Sequence, residues 1–447
     1  MLSLAWPLVI AELGWMAMGV IDTIMVGRLP SSAVAIGAVS LGSILFSTCN
    51  IFGGCVLLGL DTLVSQAWGA RKVGECHRAL WSGLYIALPL APLLMGLTAG
   101  VAAGLGRFGV NPAILPGATS YLRILNWGTP PLMLYFAFRR YLQGMGIVKP
   151  VMFTLITSNA VNLFGNWVLI YGHLGFRAMG TDGSAWATFW ARVYMGGALI
   201  AIAVYCDRAR RSGMFPVPLA PDWGRIARLL RLGLPAAAHV MLEIGVFGLA
   251  TALIARLDAV SLAGHQIALN MASLTFMVPL GISSAAAVRV GNLIGAGDPV
   301  AAGRAGWSAL ACGAAFMSTA ALAFLTIPGP IARLYTSDPA VIQMSVRLLA
   351  IAAVFQLFDG WQIVSAGALR GTGDTRTPML CNLAFYWFVG LPVGGLLCFR
   401  FGWGAAGLWI GLCTGLILIG SVLIVVWGRT AAGLRRSAAR RSAPQFV

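Results

Sequence analysis

Five carboxylates stand inside runs of apolar residues: Glu12, Asp22, Asp61, Glu243 and Asp359. A charge of this kind at the centre of a bilayer costs about 2.5–3.5 kcal/mol on insertion scales, so each must face water, pair, or hold a proton. Buried carboxylates can bind and release a proton or a metal cation, and they can recognise a cationic solute. Counting about 1.5 Å per helical residue from Arg231 and from Arg370 places Glu243 and Asp359 at a similar depth, about 17 Å from one boundary. His239 lies one turn before Glu243, while Gln356 and Gln362 flank Asp359, and His265, Gln266 and Asn270 add polar atoms on the next apolar run. In the first half of the chain, Asp22, Asn162, Asn166 and Thr188 fall at comparable depth in the opposite leaflet and can converge, a cluster suited to a proton or a desolvated Na⁺. Glu12 and Asp61 fall nearer the edge, where a structural pairing is the plainer reading.

The elements that must position these groups follow from composition. Of 447 residues, 59% are hydrophobic and only 10% charged, and the mean hydropathy is +0.85, which marks an all-α polytopic membrane protein. Apolar runs long enough for a hydrocarbon core of roughly 30 Å fall near 3–27, 33–60, 79–105, 118–138, 150–172, 183–206, 232–255, 261–287, 305–328, 344–369, 379–399 and 404–428. That is twelve transmembrane helices, six in each half.

The second half repeats the first. Pro7 falls on Pro235, Gly69-Ala70 on Gly295-Ala296, Trp81-Ser82 on Trp307-Ser308, and Leu142, Gly144 and Gly146 on Leu369, Gly371 and Gly373. With an even number of spans per half the repeats are parallel, forming two six-helix bundles, the pattern of a transporter that moves one half against the other around a central site. The acids are not duplicated: Asp22 maps onto Ala250, Glu243 onto Trp15 and Asp359 onto Leu132.

The net charge of +17 does not mark a nucleic-acid binder, because the basic residues fall between apolar runs without interleaved aromatics. Arg71, Lys72, Arg139, Arg140, Arg208, Arg210, Arg211, Arg225 and Arg228 fall in even-numbered loops, with Arg435 and Arg436 in the tail, whereas odd-numbered loops carry single ones such as Arg28, Arg107 and Arg177. Both termini are therefore expected on the cytoplasmic side. The domains read as an N-terminal lobe, 1–206, a basic Pro-containing cytoplasmic linker, 207–231, a C-terminal lobe, 232–428, and a basic tail, 429–447, expected to be disordered against anionic lipid. Trp223 to Arg231 reads as an amphipathic surface helix. The chain opens directly into its first span without a cleavable signal, an abrupt start that suggests a missing native leader. Eight cysteines without CxxC or histidine companions read as small buried residues. No HExxH, GxSxG or Walker loop is present, so an enzyme is not expected.

Pro7, on the helix carrying Asp22, is the candidate hinge. Met18, Met25, His265, Gln266 and Gln362 are candidate lining for a cavity that takes large apolar cations.

The chain resembles the multidrug and toxic compound extrusion (MATE) transporters over essentially its full length. The resemblance is carried by Pro7 with the stretch from Asp22 to Gly27, by Gly59 to Ala70, Leu142 to Gly146 before Lys149-Pro150, Asn162 and Asn166, Gly264 to Asn270, and Ala368 to Pro378. It implies a V-shaped pair of lobes, alternating access, and export of cationic amphiphilic compounds across the inner membrane in exchange for Na⁺ or H⁺. It also implies that Asp22, Asn162, Asn166 and Thr188 form the N-lobe coupling site and Glu243 and Asp359 a C-lobe cation pair. Na⁺ would sit at Glu243 and Asp359 or at Asp22 and Asn166, with no resident cofactor. Two departures count against Na⁺: Asn166 stands where some relatives have a second carboxylate, and Phe355 offers no oxygen where Na⁺-coupled relatives supply a tyrosine. The coupling ion stays open. The expected partners are a small cationic solute and membrane lipid, around a monomer. A lipid-linked precursor flippase of similar helical plan is the competing reading, and it asks for a cationic cavity rather than an acidic one.

Overall fold

The computed structural model describes residues 1–30, 32–108, 110–214 and 220–442, which are helical with no strand. The first half contains α1 (Leu2–Val26), α2 (Ser32–Val56), α3 (Gly59–Gly69), α4 (Val73–Gly104), α5 (Leu115–Asn126), α6 (Thr129–Gly144), α7 (Lys149–Tyr171) and α8 (Thr181–Arg210). The second contains α9 (Trp223–Ile254), α10 (Ala259–Gly295), α11 (Pro299–Thr326), α12 (Pro328–Arg333), α13 (Pro339–Thr372), α14 (Arg376–Asn382), α15 (Leu391–Gly395) and α16 (Gly404–Ser442). Two π-helical runs, Leu383–Gly390 and Leu396–Arg400, flank α15. Among the described residues, 11 helical stretches are long and apolar enough to cross a membrane, α2 and α3 forming one of them. The remaining expected span, near 118–138, is the pair α5 and α6, which breaks at Trp127-Gly128 ahead of Pro130 and Pro131. Proline lacks an N–H and disfavours helix in the residue before it, so neither piece is a full-length span by itself.

The repeat is visible in how the helices end. After α6, Gly146 has φ +76° and Ile147 N–H returns to the Leu142 carbonyl; after α13, Gly373 has φ +96° and Asp374 N–H returns to the Leu369 carbonyl. These are matched left-handed C-terminal caps. Gly144 and Gly371 repeat a packing contact as well. A Cβ on Gly144 would lie 2.8 Å from Val64 Cβ, and one on Gly371 would lie 3.0 Å from Val290 Cβ, the equivalent residue. Helix starts are set by aspartates: Asp258, Asp298 and Asp338 each accept a backbone N–H of the first turn at 2.8 Å. Asp222 does the same for Arg225 at 3.1 Å, and the hydrogen bonds from Arg225 hold its carboxyl below the usual range.

Two compact units result, one from Ile10 to Ala237 and one joining Met1–Val9 to Ala238–Val447. Their limits differ from the lobes and linker read from the sequence. Met1–Val9 goes with the second unit, where Val9 fills the space left by Gly281. The segment after α8 goes with the first, because Asp207 accepts from Ser212 Oγ at 2.6 Å and Met214 N–H at 2.9 Å, and Trp81 Nε1 donates to the Met214 carbonyl at 3.3 Å. Residues 215–219, including Pro216 and Pro218, lie outside the described residues. Trp223 to Arg231 is helical, but it forms the first turns of α9 rather than a separate surface helix. The tail corrects the expectation of disorder. α16 continues to Ser442 because Ala, Leu and Arg after Trp427 are strong helix formers; residues 443–447 lie outside the described residues. Arg139 and Arg140, read from sequence as loop residues, are buried in the last turns of α6.

The first unit packs around Phe46, Tyr121, Tyr135, Tyr141 and Leu142, and the second around Phe324, Tyr386, Trp409 and Trp427, all fully buried. Gly371→Val should destabilise the protein by about 1–3 kcal/mol through overpacking, read as a lowered melting temperature in detergent by thiol-dye fluorescence. An unchanged melting temperature would mean that this contact is looser than described.

Candidate functional site

In the first unit, α7 and α8 form a hairpin closed by Gly172, whose φ of +77° lets its N–H cap the Val168 carbonyl. The hairpin presents two pairs one turn apart, Asn162 with Asn166 on α7 and Thr188 with Arg192 on α8. Asp22 enters from α1. Asn166 Nδ2 donates to Asp22 Oδ1 at 2.7 Å and to Asn162 Oδ1 at 3.2 Å, Thr188 Oγ1 donates to Asp22 Oδ2 at 2.8 Å, and Asn162 Nδ2 donates to Thr188 Oγ1 at 3.2 Å. Each carboxylate oxygen thus receives one donor, while Asn166 Oδ1 has no hydrogen-bond partner. All four residues are buried. The expected cluster is assembled as a closed ring.

Beside it lies a cavity of about 190 Å³ whose lining includes Trp15, Met16, Met18, Asp22, Tyr121 and Arg192. Ser43 Oγ and Tyr121 Oη are hydrogen-bonded at 3.1 Å on its wall. The Arg192 guanidinium lies 4.1 Å from the centre of the Phe46 ring and donates to the Leu125 carbonyl at 3.4 Å, at the broken end of α5. Met18 lines this cavity. Met25 is buried further along α1, where its carbonyl accepts from Tyr171 Oη at 2.7 Å.

In the second unit, Glu243 on α9 accepts from Gln362 Nε2 at 3.3 Å, and His239 Nε2 stands 4.0 Å from its other oxygen. Asp359 and Gln362 lie one turn apart on α13, both buried, and Asp359 is near enough to Glu243 for the two carboxylates to repel. Gln362 Oε1 and Tyr386 Oη are buried without hydrogen-bond partners, and Tyr386 is within electrostatic reach of both acids. Paired carboxylates bordered by unused oxygens favour a cation between them. Gln356 turns aside and donates to Thr275 Oγ1 at 2.8 Å.

His265 is fully buried. Its Nδ1 accepts from the Trp409 indole, a donor only, at 3.0 Å. Its Nε2 therefore carries the proton and donates to Thr251 Oγ1 at 2.8 Å, so the ring is neutral and both nitrogens are used. Gln266 is exposed on the other side of α10. Pro7 is buried within α1, two residues before the boundary between units. Glu12 is ion-paired with Arg139, and Asp61 Oδ2 with Arg140 Nη1 at 3.4 Å. Arg192, Tyr121 and Tyr386 were not singled out from sequence. Only Arg192 left a signal there, as a charge inside an apolar run one turn from Thr188.

The family model for MatE matches this chain twice, at residues 7–168 and 235–396, which is the duplication read from the sequence. The chain is 38% identical over 436 residues to the probable multidrug resistance protein NorM of Mesorhizobium japonicum, covering 96% of this chain and 93% of the relative. It is 34% identical to the multidrug resistance protein MdtK of Yersinia pseudotuberculosis, with 95% and 94% covered. The fold is similar to that of a MATE in the straight conformation, with a TM-score of 0.87 at 17% identity, covering 97% of this chain and 96% of that one. It is similar to a eukaryotic MATE transporter, with a TM-score of 0.86 at 20% identity and 97% of each chain covered.

If the ring around Asp22 is one network, Thr188→Val and Asp22→Asn should not act additively on stability. A coupling of about 1–3 kcal/mol is expected for a hydrogen bond to a charged group, measured as melting temperatures across the double-mutant cycle. Additive shifts would separate Thr188 from the carboxylate.

Proposed function

This chain belongs to the MatE family of transporters, and we propose that it is a secondary antiporter exporting cationic amphiphilic drugs or metabolites by alternating access, driven by inward movement of Na⁺ or H⁺. It is a multi-pass membrane protein and not an enzyme. The observation that carries the reading is the pair of buried acidic clusters, one in each unit: Asp22 ringed by Asn162, Asn166 and Thr188, and Glu243 beside Asp359. Carboxylates kept in an apolar bundle without a full salt bridge store an unmet demand for positive charge. A proton, a metal cation and a cationic solute are the three ways of meeting it, and exchange among them is antiport.

The relatives' names support the substrate class, since NorM and MdtK are described as multidrug resistance proteins. The methionine and tryptophan wall next to Asp22 supplies polarisable and π surface for an apolar cation. On this reading the protein lies in the inner membrane as a monomer with both termini in the cytoplasm, its basic loops against anionic lipid. Coupling requires that the ion and the solute bind the two states of the transporter unequally. The flippase alternative asks for cationic lining throughout, and the carboxylate pair in the second unit argues against it.

Purified protein in liposomes should export a fluorescent lipophilic cation when a pH or Na⁺ gradient is imposed, and the two gradients applied separately identify the driving ion. Asp22→Asn, Glu243→Gln and Asp359→Asn should each reduce efflux to the rate of protein-free vesicles while the protein stays monodisperse. Wild-type rates in all three variants would remove the basis of the assignment.

A further inference from the structure

Arg192 is a charged group in the first unit's bundle for which the proposed exchange gives no role. It is buried, and among the described residues no carboxylate forms an ion pair with it at 4.0 Å or less. Its partners are the face of Phe46 and one backbone carbonyl, Leu125 O. An arginine held by a ring face and a single carbonyl retains most of its donors and its full charge. It opens onto the same cavity as Asp22 and is within electrostatic reach of that carboxylate. The other groups facing Asp22 are neutral: Tyr121 from α5, Asn162 and Asn166 from α7, Thr188 from α8, with Ser43 of α2 on the cavity wall.

We infer that Arg192 is the built-in counter-cation of the Asp22 site, which bars Na⁺ from that carboxylate and reserves it for exchange of a proton. This rests on the reading of Asp22 as a coupling group and adds which ion it takes. A hard metal ion needs several oxygen ligands at once. At Asp22 both oxygens already receive donors, the unpartnered oxygen of the ring is Asn166 Oδ1, and the neighbouring charge is positive. Arg192 opposes either positive charge, and the two ions differ in what offsets that repulsion: a proton forms an O–H bond with a single carboxylate oxygen, whereas Na⁺ would need a shell of oxygens that the ring does not offer. The second unit differs: its two carboxylates border unused oxygens, and its arginine within electrostatic reach, Arg370, acts on His239. Arg192 also caps the broken end of α5, so its loss has a structural consequence that must be separated from selectivity.

The test uses full-length protein carrying Glu243→Gln and Asp359→Asn, so that Asp22 is the remaining intramembrane carboxylate without an ion pair. Radioactive Na⁺ binding is measured by scintillation proximity. With Arg192 present, no Na⁺ signal that Asp22→Asn removes is expected. Arg192→Gln and Arg192→Met should uncover saturable Na⁺ binding where the arginine protein shows none, because a close like charge is lost, and Asp22→Asn should abolish it. Arg192→Lys, which keeps the charge and loses the planar stack, should behave as the arginine does, whereas a purely structural role would group it with the neutral variants. Na⁺ bound through Asp22 while Arg192 is intact would overturn the proposal without any arginine variant having to fold. Equal Na⁺ binding by monodisperse Lys and Met variants would overturn it too. Failure of the underlying antiport reading shows separately, as unchanged efflux when Asp22→Asn is placed in the otherwise native chain.

Discussion

A charge held in hydrocarbon must be compensated by groups within a few ångströms, because no bulk water reaches it to do so. The first unit meets this demand in two ways. Glu12 and Asp61 are neutralised by Arg139 and Arg140, neighbours on α6 that tie α1 and α3 to one helix. Asp22 instead receives two neutral donors with an arginine standing off. A full ion pair is a static solution, since breaking it strands the partner. Neutral hydrogen bonds leave the carboxylate able to change its charge without breaking a contact ion pair, and Arg192 keeps the Phe46 face and the Leu125 carbonyl when it does. The distinction sorts the five intramembrane acids into those held in ion pairs with arginine, Glu12 and Asp61, and those that are not, Asp22, Glu243 and Asp359.

The duplicated scaffold shows what is structural by what it repeats. Matched left-handed caps close α6 and α13, and the equivalent valines Val64 and Val290 pack on equivalent glycines. At one further cap the halves part company: Gly297 has φ +78°, while its counterpart Arg71 has φ +58°, a conformation that penalises a residue with a Cβ. At the acidic clusters the halves differ completely. The counterpart of Asp22, Ala250, is fully buried core, and that of Asp359, Leu132, is core as well. The counterpart of Glu243 is Trp15, which stacks on Tyr135 with ring centres 6.0 Å apart and forms a wall of the Asp22 cavity. Each half therefore fills with apolar volume the places where the other half keeps charge.

Much of this was legible in the sequence because helical spacing is a local property. Asn162 with Asn166, and Asp359 with Gln362, share faces by their separation alone, and depth counted from the span ends places Asp22 level with Asn166 and Thr188, to which it is hydrogen-bonded. What escaped were partners set by packing between distant helices. Arg139 looked like a loop charge because the fourth span was ended at the first arginine, whereas the true stop is the cap at Gly146. Arg192 had no acid near it in sequence, and Tyr386 sits in a π-helical run whose register a 3.6-residue count does not follow. His265 was read as cavity lining from its polarity, yet Trp409 and Thr251, remote in sequence, occupy both its nitrogens.

The two acidic clusters differ in how much positive charge they can accept. On the proposal for Arg192, the first cluster is near neutrality with Asp22 ionised; the arginine opposes a proton and a metal cation alike, and the proton is favoured because it needs one oxygen where a metal ion needs several. With Glu243 and Asp359 both ionised, the second cluster carries an excess of negative charge that one monovalent cation does not cancel. On the proposed antiport reading, a cationic solute and a coupling cation would compete there, with the winner set by concentration and by the geometry of each transport state. On that same reading the asymmetry of a duplicated chain would have a direct use: one cluster would respond to the proton supply while the other held cargo or cation. A second copy of either cluster in place of the other would lose that division, which is a physical reason for the repeat to conserve its helices and discard its acids.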